Sequence, residues 1–160
     1  MRLQGKKLEA ACIEYVVIPR QTGNIVFTCA MVTEAEWEEC DKIVPLPTPG
    51  KLLKPNGIYE DDLEHPEYLK HQDNWAQKRT SFMILKSLAH TPELEWETVV
   101  MTDPATWDNY KIELQEAGLS SPEIGYIIEG VGTANGLNFV KIEEAKKSFL
   151  AGLEVVSATK

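Results

Sequence analysis

Paired helix-punctuating residues in the second half of the chain constrain its fold more than any other feature. Asp103-Pro104, Ser121-Pro122 and Asn135-Gly136 divide that half into short stretches whose apolar residues recur at helical spacing. Asp and Ser side chains accept from the free amides of a first helical turn. Proline is tolerated there because its missing donor would have no intrahelical acceptor, and glycine stops the far end. After Asp103, the residues Trp107, Tyr110 and Leu114 fall at i, i+3 and i+7, with Gly118 as the stop. Ser121 is expected to cap the next helix, whose apolar face is Ile124, Ile127, Ile128 and Val131. A break over Thr133 to Asn138 leads to a last predicted helix, about Phe139 to Leu153. It carries Ile142, Ala145, Phe149, Leu150 and Leu153 on one face and Glu143, Glu144, Lys146 and Lys147 largely on the other. Helices this short are marginal alone in water, so they have to pack on something.

Upstream, His65-Pro66 opens the longest predicted helix, about Glu67 to Ala89, with Tyr68, Trp75, Phe82, Leu85 and Leu88-Ala89 along an apolar stripe. Arg79 lies on that stripe and is expected to pair with a carboxylate from elsewhere or to carry its head to the rim. Pro92 disfavours helix at Thr91, so the helix should stop near His90. Glu93 to Met101 alternates loosely and admits a short strand or another helical turn, with helical or irregular structure the expectation. The first third reads as β, with runs from Ile13 to Ile18 and Ile25 to Met31 joined across Pro19 to Asn24 as a hairpin. Thr33 and Glu36 form a capping box for a short helix from Glu34 to about Lys42, placing Ala35 and Trp37 near the hairpin. Between these regions, Ile43 to Gly57 holds Pro45, Pro47, Pro49 and Pro55, which excludes a regular helix or a central strand. It reads as an extended connecting loop, or as a proline-rich ligand, although PxxP spacing with a flanking Arg is lacking.

The expected fold class is therefore α+β: a mostly α-helical domain with a small N-terminal antiparallel β-hairpin and a proline-rich connecting loop. One domain spans 1–160, with the hairpin and short helix in 1–44, the loop in 45–65 and the helical part in 66–160. A chain of 160 residues removes roughly 70% of its unfolded surface on folding, enough for a real core.

Charge and side-chain chemistry then narrow the function. With 25 acidic against 16 basic side chains the net charge is −9, which repels the phosphate backbone on average. The best basic patches, Lys6-Lys7, Lys78-Arg79 and Lys146-Lys147, are only doublets. No nucleic-acid partner is expected. No apolar run approaches the ~20 residues of a membrane span, and Glu14 interrupts the early apolar stretch, so neither a membrane partner nor a signal peptide is expected. Cys12, Cys29 and Cys40 are odd in number without CxxC spacing and read as free, small, buried residues in a reducing cytoplasm.

An enzyme would need converging acids, bases or ligands. GxSxG, P-loop, GxGxxG and HExxH are all missing, and His65 and His71 are not at i, i+4. The acidic run Glu60, Asp61, Asp62 and Glu64 beside His65 admits a weak metal site, against the plainer reading of a solvated charge cluster. No catalytic, cofactor-binding or metal residues are assigned, and no cofactor is expected. Gly125, Gly130 and Gly132 read as points of close helix–helix approach. Among Trp37, Trp75, Trp96 and Trp107, the one expected to be partly exposed is Trp96, in the acidic segment Glu93 to Glu97.

The order of motifs in the second half carries a resemblance. Tyr68 is followed by Arg79 with Phe82 and by Leu85-Lys86-Ser87-Leu88. Then Glu95-Trp96-Glu97-Thr98-Val99 leads into Asp103-Pro104-Ala105-Thr106-Trp107. Glu113-Leu114, Ala117-Gly118-Leu119-Ser120 and Glu123-Ile124 come next. The tail runs from Ala134-Asn135-Gly136-Leu137 through Ile142-Glu143-Glu144-Ala145 to Ser148-Phe149-Leu150. From about 66 to 153 this resembles the tail assembly chaperones of long-tailed bacteriophages. Asn138-Phe139-Val140 departs from the more polar, acidic helix start expected there.

The resemblance implies a non-enzymatic factor in the cytoplasm of the bacterial host, absent from the mature virion. It would bind the tape measure protein and help recruit tail tube protein, with homo-oligomerisation open. In many such phages a longer, frameshifted form shares the N-terminal sequence, and this chain would be the short form. On that reading the partner-binding residues are Trp96, Ile124, Ile128, Phe149 and Leu153, unless the last four close the domain's own core. The alternative is a structural virion subunit of the neck, tail or baseplate, using the hairpin and proline arm as permanent contacts. A metal enzyme built on His65, His71 and the acidic run is a third.

Overall fold

The computed structural model describes residues 2–3, 6–7, 13–136, 143–144 and 146–148. Most of the predicted Phe139 to Leu153 helix, and Cys12, lie outside these residues; 143–144 and 146–148 are helical.

Three two-stranded antiparallel sheets, four α-helices and one 3-10 helix make up the described chain as far as residue 136. A short pair, β1 (Arg2–Leu3) and β2 (Lys6–Lys7), comes first. The predicted hairpin follows as β3 (Glu14–Arg20) and β4 (Gly23–Cys29), with Val17 opposite Val26 and Arg20 opposite Gly23. The turn is therefore only Gln21-Thr22, and Pro19 sits within β3, tolerated because a two-stranded sheet has only edge strands. Gly23, at φ +140°, takes the conformation that an L side chain would resist.

Helix α1 (Glu34–Ile43) carries the expected capping box: the Glu36 amide donates to the Thr33 hydroxyl at 3.4 Å, and the Thr33 amide donates to the Glu36 carboxylate at 2.8 Å. The proline-rich region departs from expectation. After Pro45, Pro47 and Pro49 the chain forms a second hairpin, β5 (Gly50–Leu53) with β6 (Tyr59–Asp62). Its strands lie between the prolines, and Lys51–Asp61 at 2.5 Å and Lys54–Glu60 at 3.7 Å bridge them across the ladder.

Helix α2 (Pro66–Leu88) opens on His65, whose Nδ1 accepts from the Glu67 amide at 3.3 Å. Its apolar stripe is buried only from Phe82 onward, where Ile84, Leu85 and Leu88 join it; Tyr68 and Trp75 are half-buried and Ala89 is exposed. The first turns project beyond the core because little packs against them. Arg79 stacks on Trp37 and Trp75, 4.4 and 5.1 Å from their ring centroids, and pairs with Asp41 of α1.

From Thr91 to Asp103 the chain is irregular but fastened, with Glu93 at φ +60°. Thr91 grips Thr28 twice, its hydroxyl accepting from the amide at 2.9 Å and donating to the carbonyl at 3.2 Å. Asp103 then caps a 3-10 helix, Pro104–Asn109, which continues as α3 (Tyr110–Glu116). Trp107, Tyr110 and Leu114 are all buried, as their spacing predicted. Gly118, at φ +88°, ends α3: its amide donates to the Gln115 carbonyl and the Leu119 amide to the Leu114 carbonyl, satisfying two carbonyls of the last turn.

Helix α4 (Ser121–Asn135) is capped by Ser120, one residue before the expected Ser121. The reason is local: Glu123 stands three residues after Ser120 and returns the bond, its carboxylate accepting from the Ser120 amide at 2.7 Å. The helix also runs on through Thr133 to Asn135, where a break was expected to begin.

One core unites these parts. Val16, Ile18, Phe27 and Cys29 on the inner hairpin face meet Phe82, Leu85 and Leu88 of α2, Trp107, and Ile124, Ile127 and Val131 of α4. Gly130 lets α4 press on β3, since a Cβ there would lie 2.2 Å from Val16 Cγ2; Gly125 and Gly132 face open space. The close approach predicted for these glycines is therefore made by Gly130 alone, and against a strand. Asn135 seals the far end: its side-chain oxygen accepts from the Val32 amide at 2.7 Å, and its amide group donates to the Ala30 and Val131 carbonyls.

Candidate functional site

The sequence-nominated contact residues separate in the structure. Ile124 is 6% exposed and packs in the core, so it offers no surface to a partner. The same apolar stripe that could bind a helix closes the domain's own core. Ile128 is half-buried at the core's margin. Phe149 and Leu153 lie outside the described residues. Trp96 is half-buried, packing against the core while lining an open cleft of about 330 Å³.

That cleft lies between the irregular segment and the end of α3. Leu94, Trp96, Leu114 and Ala117 give it apolar walls, and Glu95, Glu97, Glu113 and Glu116 surround them; among the described residues no lysine or arginine lines it. The four acids are not equivalent. Glu113 accepts from the Glu97 amide at 2.8 Å and from the Thr98 amide and hydroxyl at 2.7 and 2.6 Å. Burial pushes its carboxyl up, yet these donors outweigh burial and hold its pKa below the ordinary value. It thereby pins the irregular segment to α3 and shapes the cleft. Glu95, Glu97 and Glu116 are exposed, and their carboxylates take part in no hydrogen bond or ion pair among the described residues.

A second surface belongs to the hairpin, which the sequence nominated only for the structural-subunit alternative and without naming residues. On the outer face of the β3–β4 hairpin, Tyr15, Val17 and Val26 are 59%, 44% and 43% exposed, and Ile13 extends the patch. Opposed residues of an antiparallel pair share a face, so Val17 and Val26 lie side by side. Loose alternation of the runs was its sequence signal: nearly every position is apolar, so both faces are.

The histidine region gathers less than its sequence suggested. His65 and His71 share a shallow polar cleft with Lys51, Asp62 and Tyr68. However, Asp61 and Glu60 are engaged by lysines across the hairpin, and His65 caps α2. Among the described residues no group of His, Cys, Asp and Glu could hold a metal ion. Cys29 and Cys40 are buried, unbridged thiols, and burial pushes Cys29 up to about 11, which disfavours the reactive thiolate.

Fold and surface thus define an α+β domain with one core, an apolar outer sheet face and an acid-rimmed aromatic cleft. Compared with protein-family models, curated proteins and solved structures, the chain matches none. No helix among the described residues is long and apolar enough to cross a membrane.

Proposed function

We propose that this chain is a tail assembly chaperone of a long-tailed bacteriophage, a non-enzymatic factor acting in the cytoplasm of the bacterial host. It binds the tape measure protein and promotes assembly of tail tube protein around it. The motif order from Tyr68 to Leu150 supports the family reading. The observation that carries an interaction role is the open apolar face of Tyr15, Val17 and Val26. Contiguous exposed apolar surface marks sites of association. A net charge of −9 keeps a protein with such a face dispersed while it holds an aggregation-prone client.

The alternative, a structural subunit of the neck, tail or baseplate, draws on the outer edge of β3, which pairs with no further strand among the described residues and could pair with a neighbouring subunit. Mass spectrometry of a tagged-chain pull-down from infected cells, with the purified particle alongside, separates the two. Tape measure protein in the pull-down and no chain in the particle is the expected result. The chain at structural copy number in the particle would overturn the proposal in favour of the subunit.

A further inference from the structure

We propose that the Trp96 cleft docks a basic amphipathic segment of a protein partner, one apolar side chain entering between Trp96 and Leu94 while flanking Lys or Arg meet Glu95, Glu97 and Glu116. This specifies the partner chemistry of the assembly-chaperone reading and rests on that reading for the partner's identity.

Charge complementarity selects the occupant. The walls are apolar, while among the described residues three carboxylates at the rim have no partner and no cation lines the cleft. An apolar group alone would leave those charges unanswered. A lone cation would gain little from exposed carboxylates, because water screens such pairs. A segment presenting both gains burial at the centre and attraction at the rim, the arrangement of an apolar centre and polar border found in protein interfaces. Tryptophan suits the central position, offering a large apolar area and a face that attracts cations.

Size and shape favour a side chain of a larger partner over a free small molecule. About 330 Å³ is at the lower end of the roughly 300–1,000 Å³ of ligand pockets, and this cleft is open along its glutamate rim. Ile112, 55% exposed and one turn before Glu116 on α3, continues the apolar surface beyond the cleft, as an extended partner would use. Glu113 fixes both walls before any partner arrives, so little ordering is required on binding.

The test titrates the full chain with a synthetic amphipathic helical peptide of Leu, Ala and Lys, following the Trp96 indole N–H by NMR. Trp96→Phe assigns that signal by deleting it. The peptide is expected to shift the Trp96 indole, and a version with Glu in place of Lys is expected not to. The triple variant Glu95→Gln, Glu97→Gln, Glu116→Gln should weaken binding about tenfold. A second triple variant, Glu38→Gln, Asp73→Asn, Glu129→Gln, has the same net charge but touches no residue of the cleft, and should bind within about twofold of the wild type. Equal losses in the two variants would mean that bulk charge alone attracts the peptide, and would overturn the proposal. Shifts confined to Tyr15, Val17 and Val26 would overturn it too. Far-UV circular dichroism of both variants checks that the fold is retained.

Pull-downs from infected cells separate this proposal from the functional reading. Tape measure protein captured equally by the wild type and the cleft variant would leave the chaperone reading standing and sink the cleft. Peptide selectivity without tape measure protein would keep the cleft and sink the chaperone reading.

Discussion

Glu123 accepts from the Ser120 amide and hydroxyl and from Arg20 at 2.5 and 3.2 Å, so one carboxylate both caps α4 and ties it to the hairpin tip. The Arg20 bond, followed by the Ser120 donors, lowers its pKa from 4.5 to about 2. Because the folded value lies below the unfolded one, Glu123 contributes stability that is full above about pH 4.5 and is lost as pH falls towards 2. Arg20→Gln should therefore raise the Glu123 pKa towards its ordinary value, read by carboxyl NMR titration, and flatten part of the acid limb of the stability curve. An unmoved Glu123 would refute the assigned cause. Glu113→Ala should cost about 1 kcal/mol in chemical denaturation, since it releases three donors that can turn to water. It should also loosen the Trp96 cleft. The Thr33–Glu36 capping box was legible because its partners stand three residues apart in sequence; Ser120 and Glu123 have the same spacing, but the Ser121-Pro122 pair drew the expected cap one residue too far. The Arg20 and Glu113 contacts were not legible, because their partners arrive only when distant segments pack.

Helix α4 offers a matched pair of substitutions with opposite signs. Gly130→Ala should destabilise by about 1–3 kcal/mol, because its Cβ would meet Val16 Cγ2 at 2.2 Å in a full core. Gly125→Ala adds its methyl to open space on the same helix and should stabilise by roughly 0.5–1 kcal/mol. Thermal or denaturant unfolding of the two variants checks both, and equal effects would refute the close crossing of α4 over β3. Sequence spacing marked these glycines as one set; only the crossing distinguishes them. The β5–β6 hairpin was missed for a related reason. Its prolines dominate the reading, its strand residues are exposed except for the half-buried Asp62, and no inward–outward alternation advertises strands. Isolated two-stranded hairpins are marginal in water. Amide exchange in β5 and β6 is accordingly expected to be faster than in β3 and β4, whose inner faces are buried, and comparable protection would show a cover over the second hairpin.

Across the whole molecule, the hairpin, α2, the 3-10 helix and α4 share one core that includes Trp107, which is fully buried and contacts Phe82 with ring centroids 5.2 Å apart. Its indole N–H donates to the Met101 carbonyl at 3.2 Å. Trp107→Ala should cost about 3–5 kcal/mol and lower the Tm by about 10 °C, with fluorescence and circular dichroism falling together. Separate transitions would refute a single shared core. The sequence by itself determined the acidic charge, the α+β class, the β3–β4 hairpin and most helix starts, because composition fixes the first and the others depend on residues within one or two turns of one another. Tertiary structure decided which apolar faces remain open. Ile124 and Val17 are both β-branched aliphatics in the sequence, yet Ile124 packs into the core and Val17 is 44% exposed. The difference is made by burial between segments a hundred residues apart, which no local pattern encodes.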